Sequence, residues 1–171
     1  MAYAIVYDSR TGNTEKLARA LAAALPEEAR LAFGRVGEVD AQAIAAAERV
    51  YAGFWTNRGD CTDEMAELLA SLDGKEAFLF GTCGFGADAT YFAGVAARAA
   101  AHLPDTARLV GTFMCQGSMP PSVRERYERQ AEANPAQAPR MRQLIENFDA
   151  ALGHPDEDDL ARLADAVEEA N

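Results

Sequence analysis

The sequence predicts an α/β protein: a doubly wound, five-stranded parallel sheet with helices on both faces. Two observations carry this expectation. Short, β-rich apolar runs alternate with helical patterns about five times along the chain, an order that implies right-handed crossovers between parallel strands. A hydroxyl-rich turn follows the first run directly, at the carboxyl end of a strand, where open parallel sheets bind their ligands.

The elements follow in order. Tyr3–Tyr7 (YAIVY) reads as the first strand, and Asp8 to Asn13 as a polar turn. Leu17, Leu21 and Leu25 then lie on one face of a helix that Pro26 stops. Arg30 to Phe33 is a second, weaker strand, Ala41 to Glu48 a helix, and Val50 to Trp55 a third strand ending at the Thr56–Gly59 turn. Met65, Leu68, Leu69 and Leu72 have helical spacing, ended by Asp73-Gly74. Ala77 to Phe80 is the fourth strand, running into a Gly81-Thr82-Cys83-Gly84 loop. An alanine-rich helix over Ala89 to His102 precedes the fifth strand, Leu109 to Met114. Beyond about residue 116 the chain becomes a helical extension of the same single domain, 1–171. It comprises a polar helix over Ser122 to Ala133, an apolar stripe of Met141, Leu144, Ile145, Phe148 and Leu152 expected to pack on the sheet, and an acidic terminal helix.

Composition narrows the function. The chain has 171 residues, one domain's worth, and is 49% hydrophobic, enough for a packed core. No apolar run approaches the roughly 20 residues of a membrane span. The opening residues lack a basic signal-peptide region, so the expected compartment is the cytoplasm. Cys61, Cys83 and Cys115 are far apart, and His102 and His154 lack partners at ligand spacing, so free thiols and no metal are expected. A net charge of −11 disfavours nucleic acid and suits docking onto a basic patch of another protein, although plain solubility accounts for it equally well.

The turn Ser9-Arg10-Thr11-Gly12-Asn13-Thr14 carries the first chemistry. Three hydroxyls alternate along it, Gly12 lets the backbone turn closely around an anion, and the following helix start supplies free N–H donors. The plain alternative is an N-cap, but a cap needs only one of these side chains. There is no GxxxxGK[ST] and hence no P-loop lysine. Gly84 to Ala89 matches GxGxxA, but it follows the fourth strand and lacks the acidic residue that closes a dinucleotide unit.

Ser9-x-Thr11-Gly12-x-Thr14 after YAIVYD resembles the FMN-phosphate signature of the flavodoxin family. The resemblance covers about the first 115 residues, and the remainder is similar to short flavodoxin-like proteins of anaerobic bacteria. It implies the strand order 2-1-3-4-5 and an FMN cofactor held by Ser9, Arg10, Thr11, Gly12, Asn13 and Thr14. Two further loops would embrace the flavin ring: Phe54, Trp55, Thr56 and Asn57 after the third strand, and Thr82, Cys83, Gly84, Phe85 and Gly86 after the fourth. Trp55 is the candidate stacking partner, with a strand-end core aromatic as the alternative. Where many members place a second stacking tyrosine this chain has Ala89, leaving that face to Phe85 or open. Cys83 is either near the flavin or a buried spectator. Asp60, Asp63, Glu64 and Asp88 would surround the ring with negative charge and lower its potential.

The expected function is that of a low-potential electron carrier serving a redox partner enzyme, as a monomer or weak dimer. The alternative is an FMN-dependent oxidoreductase, a quinone reductase or a protoporphyrinogen-oxidase-like protein. A response-regulator-like domain needs an acidic pair after the first strand, and Asp8 stands alone. The arginines of the 116–152 segment (Arg124, Arg126, Arg129, Arg140 and Arg142) suit either a solvated connector or an arm that borders the flavin and selects the partner.

Overall fold

The structure, a computed structural model, describes residues 1–86 and 88–171. Five strands, β1 (Tyr3–Tyr7), β2 (Arg30–Arg35), β3 (Arg49–Trp55), β4 (Glu76–Cys83) and β5 (Arg108–Gln116), form one sheet in the order β2-β1-β3-β4-β5. All neighbouring pairs are parallel. The chain adds β2 on one side of β1 and then crosses to place β3 on the other. The direction of winding therefore reverses between β1 and β3, and a crevice opens at their carboxyl ends.

Both faces of the sheet are covered, which is why β1 is buried at every position. Tyr3, Ile5 and Tyr7 of β1 join Tyr51, Phe78, Phe80 and Phe113 under α1 (Asn13–Ala24) and α7 (Glu157–Glu169). Ala4, Val6, Ala52 and Leu79 point the other way, onto Met65 and Leu69 of α3 (Asp63–Ala70) and Val95 and Ala99 of α4 (Ala89–Ala100). Ile44 of the short α2 (Ala41–Ala46) completes that layer. The aromatic face leaves little room: a Cβ on Gly53 would lie 2.3 Å from the Phe80 ring.

Two expectations change, on β4 and on the helix of the apolar stripe, and α7 gains a place. β4 extends through Gly81, Thr82 and Cys83, which pair with Met114, Cys115 and Gln116 and are not a loop. The neighbouring strands supply ladder bonds to these residues, and Gly81 admits a close approach, since a Cβ there would lie 2.8 Å from the Phe54 carbonyl. The acidic α7 is a sheet-covering helix, with Leu163 and Val167 buried in the aromatic layer. The apolar stripe of α6 (Ala138–Ala151) packs chiefly on α5 (Pro121–Ala133), not on the sheet. With α7 on the sheet beside α1, the α5–α6 pair stands at the carboxyl edge, and Leu152 is left 56% exposed just past the end of α6.

Candidate functional site

β1 delivers the first loop to the crevice, and α1 leaves it through Gly12, whose φ of +90° is left-handed. A Cβ there would meet nothing within 4 Å, so the glycine serves the backbone turn rather than packing. The Gly12 amide donates to Ser9 Oγ at 3.1 Å, closing the turn on a buried hydroxyl. Helices α2, α4 and α7 begin on an aspartate whose side chain accepts an amide bond, whereas α1, like α3, α5 and α6, has no side-chain cap. The amides that open α1 thus have no partner inside the helix and suit an anion at the crevice.

The loop hydroxyls divide by position. Thr11 is exposed, and its Oγ1 accepts from Asn13 Nδ2 at 3.1 Å. Asn13 Nδ2 also donates to the Ser118 carbonyl at 2.8 Å, tying the loop to the chain after β5. Thr14 is fully buried and bonds Thr82 Oγ1 at 3.0 Å, so its hydroxyl supports the loop from beneath. From β2, Arg35 donates to the Ser9 carbonyl at 2.8 Å and pairs with Glu15, fixing the loop from the outside.

Trp55 ends β3 half-buried, and its Nε1 donates to Asp8 Oδ2 at 3.1 Å. Thr62 donates to the same oxygen at 2.6 Å, and the Arg10 guanidinium lies 5.5 Å from the Trp55 ring centroid. Thr56 Oγ1 donates to the Thr82 carbonyl at 3.0 Å and lies 2.8 Å from Cys83 Sγ. Beyond it the chain reverses tightly: Asn57 and Asp60 exchange both amide bonds, with Arg58 at φ 52° and Gly59 at φ 87°.

These loops enclose a cleft of about 460 Å³, a size typical of small-molecule sites. Thr11 and Asn13 line one part of it, Trp55, Thr56 and Thr82 another, and Gly84 and Phe85 a third. Of the other residues expected in the site, Ser9, Gly12 and Thr14 build the first loop from inside. Phe54 is a core residue of the α3 and α4 layer with no exposure. Asn57 belongs to the tight turn. Cys83 is buried, and burial pushes its thiol up to about 11, so it is protonated at neutral pH. The Gly86 amide is taken by Asn147 Oδ1 at 3.0 Å, and Ala87 lies outside the described residues.

For the segment after β5 the sequence leaves a solvated connector and an arm bordering the site open, and it misses Asn147 altogether. The connection after β5 (Gly117, Ser118, Met119 and Pro120), with Ser122, Val123 and Arg126 of α5, forms the remaining wall. Its position after a strand at the ligand-bearing edge was the available signal. Asn147 of α6 holds the loop after β4 by accepting from Gly86 N and donating to the Gly84 carbonyl at 2.9 Å. Nothing local in the sequence marks it, because its partners lie about sixty residues away.

The charge around the cleft also differs from expectation. Asp60 bonds the Cys61 amide at 2.7 Å and His102 at 3.2 Å; burial alone would raise its carboxyl, but these partners hold it below the usual range. Asp88 caps α4 through the Thr90 amide. Arginines, not carboxylates, line the cleft: Arg10 and Arg126. Among the described residues, two groups bring ligand atoms within 4.8 Å of one another, Asp60 with Cys61 and His102, and His154 with Asp156 and Asp159. The carboxylates of Asp60 and Asp159 already accept internal hydrogen bonds, from the Cys61 and Asp156 amides. No helix among the described residues is long and apolar enough to cross a membrane.

Comparison with known proteins agrees with this geometry. A protein of Clostridium symbiosum described as flavodoxin-like domain-containing protein BilS is 43% identical, over 94% of this chain and 91% of its own length. A protein of the same description from Clostridioides difficile is 27% identical over 91% and 88%. A short-chain flavodoxin associated with a non-canonical PDU bacterial microcompartment superposes with a TM-score of 0.58 at 17% identity, covering 99% of this chain and 97% of that one. Oxidised flavodoxin 2 of Bacillus cereus gives 0.56 at 18% identity, with the same coverage. At these identities the two structures show the fold. The family model for the flavodoxin domain matches residues 4–168. With a sheet in the order 2-1-3-4-5 and a relative 43% identical over nearly its whole length, the chain belongs to the flavodoxin domain family.

Proposed function

We propose that this protein binds FMN in the cleft between β1, β3 and α5 and serves as a cytoplasmic electron carrier for a partner enzyme. Membership of the flavodoxin family implies a flavin. The observation that carries the FMN reading is the uncapped start of α1 at Gly12, beside the exposed Thr11 hydroxyl that the Asn13 side chain orients. These donors suit a monophosphate. A phosphate there would gain charge-assisted hydrogen bonds without a lysine.

Bound flavin would supply one- and two-electron redox chemistry, and the chain's own residues would position and insulate it. Trp55 offers an aromatic face whose orientation is fixed by its bond to Asp8. Met119, Pro120 and Val123 present apolar surface that excludes water from the same space. Ser118 keeps this wall in register with the first loop by accepting from Asn13. Burial keeps the Cys83 thiol in its neutral form. The three free cysteines are all buried, in keeping with a reducing compartment.

The test is to purify the protein with its cofactor, release that cofactor by heat and identify it by mass. Stoichiometric FMN is expected, and stoichiometric FAD or no flavin overturns the reading. A second reading, an FMN-dependent oxidoreductase, draws on one observation. A further pocket of about 430 Å³ adjoins the cleft through Thr56, Gly84 and Phe85, with Phe85 45% exposed, and offers room for a small substrate. Steady NAD(P)H oxidation with a quinone by the protein alone would favour that reading. Activity only with an added reductase favours the carrier.

A further inference from the structure

Ion pairing divides the arginines of this fold by position. Outside the linings of the cleft and the pocket beside it, most arginines find carboxylates: Arg35 and Arg19 pair with Glu15, Arg49 and Arg108 with Glu76, Arg124 with Asp149, and Arg162 with Asp159. Arg10, Arg58, Arg98 and Arg126 have no carboxylate partner among the described residues, and all four line the spaces at the crevice. Arg10 and Arg126 line the main cleft, and Arg58 and Arg98 line the pocket beside it. Arg140 and Arg142 on exposed positions of α6 are also unpaired but line neither space. In a chain of net charge −11, carboxylates are abundant enough to neutralise such a group, yet those nearest are otherwise engaged or stand apart. Asp8 accepts from Trp55 and Thr62, Asp60 from the Cys61 amide with His102 alongside, and Asp88 from the Thr90 amide. Asp63 and Glu64 sit in the first turn of α3, where the helix dipole offsets them.

The placement of Arg58 is not what the local backbone prefers. It occupies a left-handed position at the tip of the Asn57–Asp60 turn, where asparagine or glycine is unstrained. Arg98, from α4, donates its Nε to the Gly59 carbonyl and so braces that same turn. Phe85 projects between these arginines and the cleft, giving the edge an apolar centre with a cationic rim.

We propose that this edge is a carboxylate-recognising docking surface, so that the electron partner approaches with an acidic face although the chain as a whole is strongly acidic. The proposal rests on the electron-carrier reading. Screening decides which charge the partner feels. At about 0.15 M salt the Debye length is about 8 Å, so a partner in contact responds chiefly to the arginines that line the two spaces, while carboxylates farther away than this are screened. Acidic surface elsewhere then opposes docking in other orientations.

The test uses FMN-loaded protein reduced beforehand with dithionite and mixed rapidly with two protein oxidants, an acidic plastocyanin and a basic c-type cytochrome. Each transfer moves one electron from the reduced flavin to Cu(II) or haem Fe(III). The rate to plastocyanin should fall about threefold or more between about 0.15 M and about 1 M salt, while the rate to the cytochrome stays flat or rises. In Arg58→Gln and Arg98→Gln, which lie outside the main cleft, the plastocyanin rate should lose most of its salt dependence. Their melting temperatures and flavin spectra show whether fold and cofactor are intact. A plastocyanin rate that rises or stays flat with salt, or a cytochrome rate that falls, overturns the proposal. Failure to bind FMN shows in the spectrum before mixing and sinks the carrier reading instead. Docking is then read from amide NMR shifts on adding oxidised plastocyanin, expected at Arg58, Phe85 and Arg126; shifts elsewhere or none overturn it.

Discussion

Asn13 and Ser118 meet across the cleft: the Asn13 side-chain amide donates to the Ser118 carbonyl at 2.8 Å, joining residues 105 positions apart. The same nitrogen reaches Thr11 Oγ1, so one side chain orders both the first loop and the wall contributed after β5. Space for it depends on Gly117, where a Cβ would lie 2.8 Å from Asn13 Nδ2 and 3.2 Å from Thr82 Cβ. Gly117→Ala is expected to displace the Asn13 amide and weaken FMN binding about tenfold, equivalent to about 1.4 kcal/mol. Titration of the apoprotein with FMN, followed by flavin fluorescence, checks this.

Thr11 and Thr14 should separate in their effects. Thr11→Ala removes an exposed hydroxyl and should leave stability unchanged while costing about 1.5–3 kcal/mol of FMN affinity, as for a bond to a charged group. Thr14→Val strands the buried Thr82 hydroxyl and should cost about 1–3 kcal/mol of folding stability even in the apoprotein. Denaturant melts with and without FMN distinguish the two.

Trp55→Phe should retain an aromatic face but lose the bond to Asp8, at about 1 kcal/mol. Trp55→Ala should cost less than the ~3–5 kcal/mol of a fully buried tryptophan, because this one is partly exposed. Flavin emission should rise in the alanine variant. Unaltered emission together with a full core-sized loss of stability would make Trp55 a packing residue.

Asp159 sets an acid limit on the α7 attachment. Its carboxyl is fully buried; burial alone would raise it, but His154, the Asp156 amide and Arg162 outweigh that and hold it below the usual range. A depressed folded value stabilises fully above the unfolded carboxyl value of about 4 and fades as pH falls through the folded value. Asp159→Asn should therefore be less stable than the parent at neutral pH, and the gap should narrow below about pH 4. Urea midpoints between neutral and acid pH measure it.

Arg58→Asn should raise folding stability by about 1 kcal/mol, because asparagine tolerates the left-handed backbone at which Arg58 sits. Thermal melts of the apoprotein check this. A loss of stability would mean that the Arg58 side chain supports the fold.

The order of strands and helices was legible because each element announces itself locally. The run Tyr3–Tyr7 is apolar throughout, Leu17 and Leu21 share a helical face, and Pro26 and Asp73-Gly74 mark ends. The first loop was legible for the same reason: its hydroxyls and Gly12 are contiguous, and its place after β1 follows from topology. The length of β4 was less so, since Gly81 and Gly84 read as turn punctuation, and Gly81 is held in the strand by pairing with β3 and β5.

By itself the sequence determined the alternating α/β order, the hydroxyl-rich glycine turn at residues 9–14 and the apolar faces that had to be buried, all properties of neighbours along the chain. Only the tertiary structure decided which of those residues meet. It drew Phe54 and Cys83 into the core, set Thr14 against Thr82, and packed α6 on α5. It also clipped the loop after β4 with Asn147 and left four arginines without carboxylates at the cleft edge. Those contacts span tens of residues, and their partners are chosen by the packing of whole layers and by which carboxylates have already been claimed, neither of which any local pattern encodes.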